Sequence, residues 1–200
     1  MPNGPIAVVV PTPGGRFVAE TIASVQAQTT PEWSLVLVDD GSQDGTADVL
    51  ARAAAGDSRI RVVTNAHRQG IARARNRGLE SIATDSEYVA FLDHDDLWMP
   101  NTLEWLKAEL DARPDAPAAH GGATIIDEHG EPYPPNQWDP RIHRMGVSSK
   151  ELVSWPLDRP TEFANLVYED CIVSMISFWL GQISCRYTGR PLRSRPTGSL

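Results

Sequence analysis

Three carboxylates lie close together at Asp93, Asp95 and Asp96, directly after the apolar run 88–92. Carboxylates at this spacing repel one another, so the cluster is stable when a cation neutralises it. Carboxylate oxygens without a neighbouring cysteine favour a hard divalent ion, Mg²⁺ or Mn²⁺, which keeps bound waters and bridges substrate phosphates. The alternative is a solvated acidic turn before the next helix, because Pro100 is typical of a helix start.

The run 88–92 predicts a buried β-strand, because it is short and rich in aromatic and β-branched residues. Similar runs predict strands at 6–10, 35–38 and 60–63, and a fifth is expected over 118–126. Apolar residues at helical spacing separate the first four. This alternation predicts an α/β fold with a mostly parallel sheet and helices on both faces. Such sheets bind ligands at the carboxyl ends of their strands, where the acidic cluster lies.

A second acidic pair, Asp39 and Asp40, follows the predicted strand 35–38 and enters a turn that contains glycines. Asp44 is assigned to the start of the next helix, and Thr46 is expected to cap that helix with its hydroxyl. The predicted sheet therefore carries acidic residues at the carboxyl ends of two of its strands.

The helix after Gly70 begins within a cluster of arginines. A solvated helix face explains most such residues, but we expect at least one to face the acidic or phosphate-bearing site. The arginines are Arg68, Arg73, Arg75 and Arg77.

The composition, 41% apolar and 22% charged, is typical of a soluble globular chain. The net charge of −8 disfavours a nucleic-acid partner but not a nucleotide that carries its own metal. Cys171 and Cys185 have no metal-binding spacing and are expected to be free thiols in a reducing compartment. No secretory leader or transmembrane segment is evident, so the sequence predicts a cytoplasmic location.

Four motifs carry a resemblance to a known family: Val8–Thr12, Val38–Ser42, Ala74–Gly78 and Phe91–Asp96. In their order and spacing they resemble family 2 glycosyltransferases of the GT-A fold, over roughly residues 5–128. The resemblance implies transfer of a sugar from a nucleotide diphosphate sugar to an acceptor hydroxyl, with inversion and with the help of Mg²⁺ or Mn²⁺. It leaves open a UDP-, dTDP- or GDP-linked donor and a glycan, lipid-linked or small-molecule acceptor. A lipid-linked acceptor would place the protein peripherally at the inner membrane face.

The resemblance also implies roles for individual residues near the nucleoside. Thr12 and Asp40 would meet the nucleoside, Asp40 through its base, with Asp39 nearby. Arg75 resembles the family's residue close to the diphosphate.

The Asp-x-Asp pair of the family corresponds to Asp93 and Asp95. Asp95 would hold the metal on the diphosphate, and Asp93 would lie on the ribose side and complete the metal site. His94 occupies the variable position between them and is expected to point elsewhere.

Two departures from the family concern the base-binding loop and the catalytic base. Pro13-Gly14-Gly15 stands where the family usually has Tyr-Asn. The family's general base lies in a Glu-Asp pair after a Gly-Gly-Phe-Asp stretch that this chain lacks. Asp170 and Glu169 form the late Glu-Asp pair and are the candidate bases, and the alternative is a pair of polar residues at a strand edge.

We therefore expect a nucleotide-sugar-binding GT-A subdomain over 1–128, an incomplete acceptor-binding region over 129–185 and a disordered tail over 186–200. The abrupt basic end suggests a truncated or altered C-terminus. A different class of function is a non-catalytic nucleotide-sugar-binding remnant. An aspartate-based phosphotransferase is disfavoured because its acids should follow the first strand, and a nucleotidyltransferase because Gly14-Gly15-Arg16 only faintly resembles its phosphate loop.

Overall fold

The computed structural model describes residues 6–113, 118–119, 126–131 and 184–186. No helix within these ranges is long and apolar enough to cross a membrane. The elements, in chain order, are β1 (Ile6–Thr12), α1 (Val18–Gln26), β2 (Trp33–Asp39), α2 (Thr46–Gly56), β3 (Ile60–Thr64), α3 (Ile71–Leu79), β4 (Tyr88–Phe91), α4 (Thr102–Ala112), β5 (Ala118–Ala119) and β6 (Ser184–Arg186).

The strands form one sheet in the order β3-β2-β1-β4-β6-β5. Strands β1 to β4 run parallel, while β6 is antiparallel to both β4 and β5. Every residue of β1 is buried, as expected for a central strand that helices cover on both faces. The predicted mostly parallel α/β sheet is confirmed.

The core has two layers, one on each face of the sheet. Alternate β1 residues Val8 and Val10 pack with residues of α1, α2 and α4, including Ile22, Leu50 and Leu103. On the opposite face, Val9 packs with residues of α3. The prediction of helices on both faces is therefore confirmed.

Helix α3 lies unusually close to β1. A Cβ atom at Gly78 would lie 2.3 Å from Cγ1 of Val9 and 3.2 Å from Cγ2 of Val38. No side chain fits there without displacing the helix, so Gly78 allows the short distance between α3 and the sheet.

The start of α2 differs from the prediction. The residue that caps it is Gly45, in the left-handed conformation at φ +83°, and no side chain bonds as a cap from that position. The hydroxyl of Thr46 instead accepts a hydrogen bond from the backbone N–H of Gly15 at 3.3 Å. Asp44 accepts from the backbone N–H of Thr46 at 3.2 Å, which confirms its place at the helix start. The prediction that Thr46 caps the helix is wrong. The tight turn at Gly45 brings the Asp44 carboxylate to the backbone N–H of Thr46, the first residue of the helix.

The chain divides into two compact units, residues 1–121 with 177–200 and residues 122–176. All strands and helices named above belong to the first. In the second, Asp127 accepts hydrogen bonds from the backbone N–H groups of His129 and Glu131, and these bonds hold a turn. The predicted bounds of the acceptor region and the tail lie largely outside the described residues and stay predictions.

Candidate functional site

A cleft of about 220 Å³ opens at the carboxyl ends of β1, β2 and β4. The order of the parallel strands reverses here, because β1 lies between β2 and β4. Open α/β sheets bind ligands at such a reversal. Thr12, Asp40, Asp93 and Asp95 line this cleft together. The geometry therefore brings these predicted site residues to one place, and their individual roles stay predictions.

Asp40 holds the loop that precedes α3. Its carboxylate accepts hydrogen bonds from the side-chain amide of Asn65 and from the backbone N–H groups of Gln69 and Gly70, each at 2.8 Å. Burial raises the pKa of Asp40, but these donors and the nearby Arg68 guanidinium outweigh burial and hold the pKa below its usual value. Asp40 is therefore ionised at neutral pH, and it ties the end of β2 to this loop.

Asp39 stands behind the cleft rather than in its wall. It is buried, and its Oδ1 accepts a hydrogen bond from the backbone N–H of Ser42 at 2.8 Å. Asp39 thus stabilises the turn after β2, on which Asp40 depends for its position.

Arg75 on α3 is not among the residues that line the cleft, and its predicted place close to the diphosphate stays a prediction. Its guanidinium contacts Oδ1 of Asp93 at 2.7 Å, and only 12% and 14% of the two side chains are exposed. The same guanidinium lies 5.8 Å from the centre of the Phe91 ring. The prediction that at least one arginine of this helix faces the acidic cluster is confirmed.

Asp95 has the more accessible carboxylate of the Asp-x-Asp pair, with 49% of its side chain exposed against 14% for Asp93. In the described ranges, no group of three or more His, Cys, Asp or Glu side chains is placed to enclose a metal ion. Mg²⁺ and Mn²⁺ do not need such a cage when waters and substrate phosphates complete their ligands. The carboxylate of Asp95, with Asp93 beside it at the cleft, therefore fits the predicted ion.

The loop after β1 packs closely against His94. Thr12 accepts a hydrogen bond from the backbone N–H of Gly14 at 3.1 Å, and Gly15 has φ +138°. A Cβ atom at Gly15 would lie 3.2 Å from the His94 ring. His94 is among the residues that line the cleft, while its ring packs on Gly15, which is not, so the prediction that it points elsewhere stays a prediction.

Sequence analysis placed Asp96 in the acidic cluster without a separate role, and it missed Asn65. Burial, and then the charges of Asp95 and Asp93, raise the pKa of Asp96 to about 8. Its Oδ2 is buried and has no hydrogen-bond partner in the described part of the chain. Asn65, the partner of Asp40, could have been found from its place as a polar residue directly after a strand of the same sheet.

The candidate catalytic bases Glu169 and Asp170 lie outside the described residues. Both stay predictions. Among the described residues, the cleft combines carboxylates of the kind that hold a divalent ion with one guanidinium, that of Arg68, of the kind that binds an anion.

The family model described as glycosyl transferase family 2 matches residues 7–166. Over 100 residues, half of this chain, the sequence is 41% identical to the putative teichuronic acid biosynthesis glycosyltransferase TuaG of Bacillus subtilis. Over another 100-residue match, it is 35% identical to the Escherichia coli UDP-Glc:alpha-D-GlcNAc-diphosphoundecaprenol beta-1,3-glucosyltransferase WfgD. These matches cover 39% and 38% of the two relatives, so the chain spans about two fifths of their length.

A solved structure gives the same assignment of fold. The mannosyltransferase PcManGT from Pyrobaculum calidifontis, in complex with GDP-Man and Mn²⁺, superposes with a TM-score of 0.53 at 29% identity. The match covers 58% of this chain and 34% of that protein. The predicted GT-A fold is confirmed, and the chain belongs to glycosyl transferase family 2.

Proposed function

We propose that this chain binds a nucleoside diphosphate sugar and takes part in transfer of the sugar to an acceptor hydroxyl, with inversion at the anomeric carbon. The observation that carries the proposal is the convergence of Thr12, Asp40, Asp93 and Asp95 on one cleft at the strand-order reversal. A carboxylate cluster at this place suits a ligand that brings phosphates and a divalent metal.

Each residue has a distinct task in this proposal. Thr12 and Asp40 form the nucleoside end of the cleft, with the turn at Asp39 behind them. Asp93, which Arg75 fixes by an ion pair, lies on the ribose side. Asp95, together with Asp93, would hold the Mg²⁺ or Mn²⁺ that accompanies the diphosphate.

The reaction needs charge stabilisation at the leaving group and a base at the acceptor. A divalent ion held by Asp95 and Asp93 would supply the first as a Lewis acid, because the departing nucleoside diphosphate gains negative charge. Asp170 or Glu169 would accept the proton of the acceptor hydroxyl on the face of the sugar away from the leaving group.

The similar proteins support a UDP- or GDP-linked donor for this chain, and a dTDP-linked donor is kept as a further alternative. WfgD is named for UDP-Glc and a diphosphoundecaprenol-linked acceptor, and PcManGT was solved with GDP-Man and Mn²⁺. By analogy, we propose a lipid-linked, glycan or small-molecule acceptor and action in the cytoplasm, at the inner membrane face when the acceptor is a lipid.

Calorimetric titration of UDP, dTDP and GDP, with and without Mn²⁺, tests the proposal. The nucleotide that binds then selects the nucleotide sugars for a donor-hydrolysis assay. We expect binding that strengthens with Mn²⁺ and slow hydrolysis of a matching donor. Binding without hydrolysis would favour a chain that binds donors without catalysing transfer. No binding of any of the three would contradict the donor site.

A further inference from the structure

Among the arginines that the structure describes, Arg68 is the one that lines the cleft itself. Its side chain is exposed, and the cleft it shares with Asp40 and Asp95 has walls of mixed polar and apolar character. Within the described ranges it has no salt bridge or side-chain hydrogen bond, although its charge contributes to the low pKa of Asp40. A cation at the wall of a site for a phosphate-bearing ligand is available to that ligand.

The backbone beneath Arg68 is fixed from two sides. Asp40 accepts hydrogen bonds from the backbone N–H groups of Gln69 and Gly70, the two residues that follow Arg68. On the other side, Gly41 has φ +76°, and a Cβ atom there would lie 2.8 Å from the backbone nitrogen of Arg68. The loop can approach so closely only because residue 41 is glycine. The side chain of Arg68 therefore extends from a rigid base beside the cleft.

The other arginines of this region have different surroundings. Arg75 is largely buried and paired with Asp93. Arg73 donates to the side chain of Gln69 at 3.2 Å and does not line the cleft. Arg77 lies 3.6 Å from Glu80 on the exposed side of α3.

An anionic donor would add negative charge to a cleft that carboxylates already line, so a further cation would stabilise its binding. Asp40, Asp93 and Asp95 are carboxylates in its wall, and Arg75 neutralises Asp93. A diphosphate adds negative charge beside the two carboxylates that remain, and a single divalent ion would have to offset all of it. A guanidinium forms paired, charge-assisted hydrogen bonds with phosphate oxygens and so suits this place.

We propose a division of roles in which Arg68 binds the diphosphate of the donor, while Arg75 keeps Asp93 in position. This inference rests on the proposed function, because it assumes that the cleft takes a nucleoside diphosphate. It makes the loop held by Asp40 and Gly41 a phosphate-binding element of this chain.

The test compares the wild-type chain with Arg68→Ala, Arg68→Lys and the matched control Arg73→Ala, which removes the same charge outside the cleft. For each protein, calorimetry measures the affinity for the nucleoside diphosphate that the wild type binds and for the corresponding monophosphate. Titrations run with Mn²⁺ and with EDTA. Circular dichroism checks that each variant is folded.

Arg68→Ala should weaken diphosphate binding roughly 10- to 100-fold, as expected for loss of charged hydrogen bonds. The preference for diphosphate over monophosphate should fall with it, in EDTA as well as in Mn²⁺, and Arg68→Lys should recover part of the loss. Arg73→Ala should bind like the wild type.

Three outcomes would overturn the assignment. An unchanged affinity in Arg68→Ala would show that this side chain does not contact the ligand. An equal loss for monophosphate and diphosphate would place it at the nucleoside instead. An equal loss of affinity in Arg73→Ala would show that the effect comes from the net charge of the region and not from contact between Arg68 and the ligand. A wild type that binds no nucleoside diphosphate would instead overturn the proposed function, and this assignment with it.

Discussion

The guanidinium of Arg75 on α3 donates to the carboxylate of Asp93, just after β4, over 2.7 Å, and both side chains are largely buried. Arg75→Ala should therefore destabilise the fold by about 3 kcal/mol, because it leaves a buried carboxylate without its partner. Urea unfolding followed by circular dichroism measures this loss. In Arg75→Ala/Asp93→Asn the loss should be smaller than the sum of the two single losses. Additive losses would show that the pair does not interact energetically.

Asp40→Asn should loosen the loop before α3. The amide group of asparagine would place a donor where the carboxylate now accepts from the backbone N–H groups of Gln69 and Gly70. We expect a destabilisation of about 1–3 kcal/mol, the cost of unsatisfied buried polar groups. Faster hydrogen exchange at these two amides would locate the effect. Asp48→Asn, at an exposed position on α2, is the control and should change stability little.

The acid dependence of stability should contain a contribution from Asp40. Burial raises its pKa, but hydrogen bonds and the Arg68 charge lower it below the ordinary 3.8. The unfolded chain then binds this proton at a higher pH than the folded chain, so the contribution is complete above pH 3.8 and is lost as pH falls through the folded pKa. The difference in the free energy of unfolding between wild type and Asp40→Asn should accordingly become smaller at acid pH. A difference that stays constant from pH 6 to pH 3, in urea titrations at each pH, would refute this origin.

The parts of the fold that sequence analysis predicts are those with local causes. The four apolar runs at 6–10, 35–38, 60–63 and 88–92 each form a strand. The acidic residues lie at or just after the ends of two of these strands because they directly follow the apolar runs in the sequence. The bonds from Asp40 to Asn65 and Gly70 have no local cause, since they join residues 25 and 30 positions apart. The short antiparallel strand β6 likewise depends on a distant partner, β4.

The error at the loop after β1 has the same origin. Thr46 has a side chain typical of a helix cap, but its hydroxyl accepts from Gly15, 31 residues away. The His94 ring also packs on Gly15, which follows a different strand. Local propensity is a weak guide where tertiary contacts compete for the same group.

Gly78 should tolerate no side chain. Because a Cβ atom there would lie 2.3 Å from Val9, Gly78→Ala would push α3 away from β1 and should cost about 1–3 kcal/mol despite alanine's better helix propensity. Gly56→Ala is the matched control, since Gly56 is also helical and its Cβ would meet nothing within 4 Å. It should be neutral or stabilising by up to about 1 kcal/mol. Thermal unfolding compares the two, and equal effects would contradict the proposed contact.

Asp95→Ala should abolish the part of donor binding that depends on metal. Asp95 has the more accessible carboxylate of the pair, so its removal takes away the proposed metal ligand without leaving a buried charge unpaired. Calorimetry should then give the same affinity for the nucleoside diphosphate in Mn²⁺ as in EDTA, while the wild type binds more tightly in Mn²⁺. Asp85→Ala, at an exposed position outside the cleft, should keep the wild-type response to Mn²⁺. If Asp95→Ala also keeps it, the metal is held by other groups and the role given to Asp95 is wrong.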